Sequence, residues 1–111
     1  MDTIQEIEDD ELQIKPAKPT RECEEMLDEA LAYIAENSQT QAEIMRKKFF
    51  KILRILECMP GIGTIYKNGM RKILLGKFRY NIFYREKENE IEILGIWHTS
   101  RGAEFAEPQN E

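Results

Sequence analysis

The chain has one histidine, His98, and an arginine, Arg101, three residues further on. An imidazole near a permanent cation is a pair that can shuttle a proton beside an anion. A second pair of cations, Arg71 and Lys72, stands at the start of an apolar stretch, and a third group, Arg46, Lys47, Lys48, Lys51 and Arg54, is spread over nine residues. Each has a plainer reading. A lone strand histidine is commonly structural, and charges on an edge strand blunt aggregation. The two thiols, Cys23 and Cys58, form no CxxC pair, and one histidine is too few for a zinc ligand set. Neither a metal nor a small-molecule cofactor is expected. Two buried thiols are the simple expectation. If the helices described below form a hairpin, both cysteines stand at its open end, so a disulfide between them is sterically conceivable.

Those candidates sit in a chain whose charge is unevenly distributed. The net charge of −5 hides 12 acidic and 3 basic side chains in residues 1–39 against 13 basic and 6 acidic in residues 40–102. A basic centre of this kind seeks phosphate or an acidic peptide, or is neutralised by its own acidic first helix. At 111 residues, 41% hydrophobic and 33% charged, the chain is sized for one globular domain. It has no apolar run near the roughly 20 residues that span a bilayer. The acidic start, MDTIQEIEDDE, does not resemble a secretory signal, so a cytoplasmic location without membrane contact is expected.

The elements that must position the candidates follow from periodicity. Residues 1–11 carry no core signal and read as an acidic disordered tail. Leu12-Gln13-Ile14 alternates weakly and predicts a short terminal strand before Pro16. Thr20 caps a helix from Arg21 to about Asn37, with Cys23, Met26, Leu27, Ala30, Leu31 and Ile34 on one face. Thr40-x-x-Glu43 reads as a capping box for a second helix running to about Cys58. Its buried stripe is Ala42, Met45, Phe49, Ile52, Leu56 and Met59, with Leu53 beside them. Phe50 and Ile55 lie off that stripe among the basic residues and predict contact on a second side. Pro60-Gly61-Ile62-Gly63 stops the helix. Three strands follow: Met70–Leu75, Phe78–Arg85, and Ile91–His98, with Lys87–Glu90 as a polar turn and Ile91, Ile93, Gly95 and Trp97 on one face. This predicts an α+β fold in which an antiparallel helical hairpin packs on a small antiparallel sheet, with residues 12–102 as the domain and 103–111 as a polar tail, disordered from residue 106 onward.

Several pieces in this order resemble one family. They are Ala32-Tyr33-Ile34-Ala35, Met59-Pro60-x-x-Gly63, Gly69-Met70-Arg71, the stretch from Phe78 to Arg85, and Ile91-x-Ile93-Leu94-Gly95-Ile96-Trp97-His98-x-x-Arg101. From Met26 to Gly102 the chain resembles the RelE/ParE superfamily of toxins, often described as plasmid-stabilisation proteins. The resemblance implies the toxin of a type II toxin–antitoxin system, neutralised by a cognate antitoxin protein. ParE-like members poison DNA gyrase, whereas RelE-like members are ribosome-dependent endoribonucleases acting on messenger RNA. RNA cleavage needs a proton acceptor, a cation for the phosphorane and an acid for the leaving oxygen. Asn81 stands where the nuclease pattern has a strand arginine, and the family's C-terminal tyrosine falls near Glu107. The ParE-like reading is therefore preferred, and a binding-only member that engages an antitoxin is a further alternative. On that resemblance Arg71, Lys72 and Arg101 are the toxicity or target-contact candidates. His98, Arg101 and Tyr84 are the catalytic set if the protein is a nuclease. Arg46, Phe50, Lys51, Arg54 and Ile55 are the antitoxin-docking candidates.

Overall fold

The computed structural model describes residues 14–101 and 104–107. Strand β1 (Ala17–Pro19) is followed by helices α1 (Arg21–Ala35) and α2 (Gln39–Cys58), then β2 (Thr64–Ile65), β3 (Arg71–Leu74), β4 (Tyr80–Glu86) and β5 (Ile91–His98). The five strands form one sheet in the order β1-β5-β4-β3-β2. β1 runs parallel to β5, and all the other pairings are antiparallel. The architecture is α+β, as expected, with both helices on one face of a mixed sheet. No helix among the described residues is long and apolar enough to cross a membrane.

The helices end where their chemistry dictates. The Thr20 hydroxyl accepts from the Cys23 N–H at 3.0 Å and caps α1. The cap of α2 is Ser38 and not Thr40: its hydroxyl accepts from the Gln41 N–H at 3.1 Å, so the helix starts one residue before Thr40. Ser38-x-x-Gln41 satisfies the same pattern two residues earlier. Cys23, Leu27 and Ala30 of α1 and Met45, Phe49, Ile52, Leu53 and Leu56 of α2 pack on Ile82, Tyr84, Ile91, Ile93 and Ile96 of the sheet. Met59 departs from the expected stripe. It is 54% exposed because α2 has already ended at Cys58. The thiols differ too: Cys23 is buried, Cys58 is exposed, and both are free.

The edge strand lies at Ala17–Pro19, five residues after the start of the Leu12–Ile14 pattern. Leu12 and Gln13 lie outside the described residues, as do residues 1–11, and Ile14 is exposed and unpaired with the sheet. Pro19 is tolerated because the neighbouring donor of the same phase, the Ala17 N–H, already points away from β5 to the Glu57 carboxylate at 2.8 Å. A missing N–H at Pro19 therefore removes no ladder bond. β2 and β3 form a hairpin around Asn68-Gly69, both with positive φ, closed by Met70 N–H to the Lys67 carbonyl at 3.2 Å. That is the geometry Asn-Gly favours.

β5 does not alternate throughout. The register shifts between Phe83 and Tyr84, so Phe83 faces Gly95 and Tyr84 faces Ile93, which leaves Leu94 as an extra residue. The bulge reverses the phase. Ile91, Ile93 and Ile96 face the helices, whereas Leu94 and Trp97 share the opposite face with Phe83. The expected grouping of Trp97 with Ile91 and Ile93 therefore fails at Leu94. On that opposite face Phe105, read from sequence as part of a polar tail, is buried against Met70, Phe83 and Leu94.

Candidate functional site

The face of the sheet away from the helices holds a cleft of about 370 Å³ whose lining includes Tyr66, Lys72, Asn81, Trp97, His98 and Arg101. Three strands supply it. Lys72 comes from β3, Asn81 and Phe83 from β4, and Trp97 and His98 from the end of β5, with Arg101 in the turn that follows. The bulge at Leu94 matters for this arrangement, because it turns Trp97 onto the open face and so gives Arg101 a ring to rest on. The guanidinium carbon lies 3.9 Å from the Trp97 ring centroid. Lys72 Nζ sits 5.4 Å from the centroid of Tyr66 in the same manner. Cations held over aromatic faces keep their charge while the ring fixes their position. Among the described residues neither Lys72 nor Arg101 makes an ion pair, so both present positive charge to the cleft.

His98 is held as part of the turn. Its Nδ1 accepts from the Ser100 N–H at 3.1 Å and lies 2.8 Å from the Ser100 hydroxyl, while its ring meets Tyr80 edge-on at 4.9 Å. The backbone donor requires a lone pair on Nδ1, which assigns the proton of the neutral ring to Nε2. Burial raises the Tyr80 phenol above its ordinary range, and Tyr33 adds to this while Arg101 opposes it. Arg101 also borders a smaller hollow of about 180 Å³ with Tyr33, Tyr80 and Glu29, and so stands between the two concavities.

The remaining candidates are separated from that cleft. Tyr84 is fully buried on the helix side: its hydroxyl donates to the Pro60 carbonyl at 2.7 Å and accepts from the Gly63 N–H at 2.9 Å. Burial holds the phenol above its usual range. Arg71 pairs with Tyr84 across the strands, and its Nη1 donates to the Gly63 carbonyl at 2.8 Å. Together Arg71 and Tyr84 pin the turn after α2. Strand alternation accounts for the split, since Lys72 is opposite Phe83 on the open face and Arg71 is opposite Tyr84 on the other. The structure thus unites Arg101 and Lys72 at the cleft, sets His98 at its rim with the ring turned against Tyr80, and leaves Tyr84 and Arg71 elsewhere.

The docking candidates of α2 lie together on the outer surface of the hairpin. Arg46, Phe50, Lys51 and Arg54 are exposed and Ile55 is half-buried. The Arg46 guanidinium lies 5.5 Å from the Phe50 ring centroid, and Phe50 meets Phe49 edge-on at 5.1 Å. The result is an aromatic platform fringed with positive charge.

Sequence reasoning missed Tyr66, Lys67, Arg85 and Phe105, all on the open face. The Tyr66 hydroxyl donates to the Phe105 carbonyl at 3.0 Å. Lys67 pairs with Glu104 at 2.9 Å, and Arg85 with Glu107 at 2.8 Å. The Asn-Gly at 68–69 was the available signal for the Tyr66 hairpin. A lone phenylalanine between glutamates gave none.

A family model for the ParE toxin of the type II toxin–antitoxin system parDE matches residues 17–102, from the first residue of β1 to just past Arg101. A chain described as the chromosomal ParDE TA system from P. aeruginosa superposes with a TM-score of 0.66 at 23% identity, covering 75% of this chain and 94% of that one. At that identity the likeness concerns the fold. A search of curated protein sequences gives no match. With a family match over the entire sheet and both helices, the chain belongs to the ParE toxins of type II toxin–antitoxin systems.

Proposed function

We propose that this protein arrests growth by poisoning DNA gyrase in the cytoplasm and that a cognate antitoxin protein neutralises it. The observation that carries the choice of gyrase over message cleavage is the makeup of the open-face cleft. Asn81 lines it where the nuclease pattern has a cation. Of the two β4 phenols, Tyr84 is buried on the opposite face with its donor and acceptor both occupied, while Tyr80 packs on that same helix side. Lys72 and Arg101 can bind an anionic surface, but His98 alone is a weak basis for the paired proton transfers that phosphodiester cleavage needs. The cations serve recognition, and Arg101 is the residue assigned to target contact. The α2 platform of Arg46, Phe50, Lys51, Arg54 and Ile55 is assigned to the antitoxin, as an acidic amphipathic segment laid along the hairpin.

Induction in cells lacking the antitoxin tests this reading. Growth slows and the DNA-damage response rises while ribosome-bound messages stay intact. Fresh message ends clustered in ribosomal A-site codons would assign the protein to the ribosome-dependent nucleases instead.

A further inference from the structure

The residues after β5 return across the open face of the sheet. Phe105 is 1% exposed, stacked on Phe83 with centroids 4.4 Å apart and rings 15° from parallel, and it meets Trp97 edge-on at 5.8 Å. Its neighbours Glu104 and Ala106 are exposed. One aromatic ring sunk in a well between solvated residues is the way a peptide ligand anchors. The backbone is held as well, through the Tyr66 hydroxyl on the Phe105 carbonyl. Each end is fixed by charge. Glu104 pairs with Lys67 at 2.9 Å, and Glu107 places both oxygens on Arg85, at 2.8 and 3.4 Å.

The receiving surface is shaped for that ring. A Cβ at Gly95 would fall 2.7 Å from the Phe105 ring on one side and 2.8 Å from the Met26 sulfur on the other. The missing side chain is what lets the aromatic seat itself against β5. The well lies within residues 17–102, the stretch shared with the family, and its occupant lies beyond that stretch.

We propose that the open face carries a peptide slot for a glutamate–aromatic–x–glutamate segment, filled in the free chain by its own Glu104–Glu107 and open to a partner peptide of the same chemistry. The own segment satisfies Lys67 and Arg85 and leaves Lys72 and Arg101 of the same face without an ion pair among the described residues. A partner that carries the same anchor and further carboxylates gains those two cations, and this favours exchange of one segment for the other. The segment already attached has the advantage of high effective concentration, so exchange requires the additional contacts.

The chain has a single tryptophan, so Trp97 reports on the slot directly. In the full-length Phe105→Ala protein, Trp97 emission shifts to the red and acrylamide quenches it more strongly than in the wild type. Adding the blocked peptide Glu-Phe-Ala-Glu reverses both changes, and Glu-Ala-Ala-Glu does not. Replacing the second glutamate of the peptide by glutamine weakens binding more than replacing the first, because the Arg85–Glu107 pair is less exposed than Lys67–Glu104. The wild type responds less than the variant at equal peptide concentration. Emission unchanged by Phe105→Ala, or equal action of the two peptides, overturns the proposal. Should Phe105→Ala lose its cooperative melt, the Glu104→Gln/Glu107→Gln protein replaces it. Increased quenching of Trp97, reversed by Glu-Phe-Ala-Glu, is then expected, and quenching equal to wild type overturns the slot. Neither gyrase nor cells enter the assay, so its failure is separate from failure of the target assignment.

Discussion

Arg101 and Arg71 look alike in sequence, each a cation beside a strand, and the structure gives them opposite consequences. Arg101 is exposed and rests on Trp97, so Arg101→Ala forfeits about 0.5–1 kcal/mol of cation–π attraction and leaves the melting temperature nearly unchanged. Growth inhibition is nevertheless expected to be mostly lost, because the side chain is the proposed target contact. Paired melting and toxicity measurements on one preparation check both halves. Tyr84→Phe behaves in the reverse way: it strips the acceptor from the buried Gly63 N–H and costs about 1–3 kcal/mol in urea unfolding, with toxicity falling only as far as the folded fraction does. The thiols provide a test in alkaline solution. Burial, helped by Glu24, pushes the Cys23 thiol up to about 12. The folded state therefore holds its proton after an unfolded chain has released it. Stability is intact below about pH 8.5 and falls as pH rises toward the folded value, by up to about 1.4 kcal/mol per pH unit. Tyr80 and Tyr84, also raised by burial, act in the same direction at higher pH. A melting-temperature series from pH 8 upward should decline, with a shallower initial slope in Cys23→Ala.

Helix α2 does two things with two faces, and substitutions separate them. Phe49 is fully buried, and Phe49→Ala costs about 3–5 kcal/mol and destroys activity through unfolding. Reversing Arg46, Lys51 and Arg54 to glutamate leaves the fold intact and slows antitoxin association at low ionic strength, an effect that added salt reduces. Stopped-flow association rates at two salt concentrations distinguish this from a general loss of binding. Both faces were legible in sequence, because apolar residues three and four apart leave no strand alternative over 20 residues. The sheet was legible only in its long strands. Ala17-Lys18-Pro19 has no β-branched residue and a proline, so nothing local marks it. It becomes a strand only because β5 offers it an edge. The phase of β5 was readable as far as Ile93 and was lost at Leu94, since a bulge depends on the partner strand as much as on its own residues. The cleft shared that fate. His98, Arg101 and Lys72 were nominated by residue type alone, but whether Arg71 shares a face with Lys72 depends on strand phase, which adjacency in sequence cannot convey.

At the scale of the molecule, an acidic first helix and a basic second helix share one side of the sheet, and the other side carries a cationic, aromatic-lined cleft partly walled by Glu104 and Phe105. This separation gives the two proposed partners separate addresses, the antitoxin on α2 and the enzyme target on the open face. Double-stranded breaks held covalently by purified gyrase on a supercoiled plasmid, quantified as protein is added, measure the central claim most directly. The account predicts that gyrase-linked linear DNA accumulates with wild-type protein and does not with Arg101→Ala of equal melting temperature. Plasmid that stays unbroken at every protein concentration, with growth still arrested in cells, would contradict it.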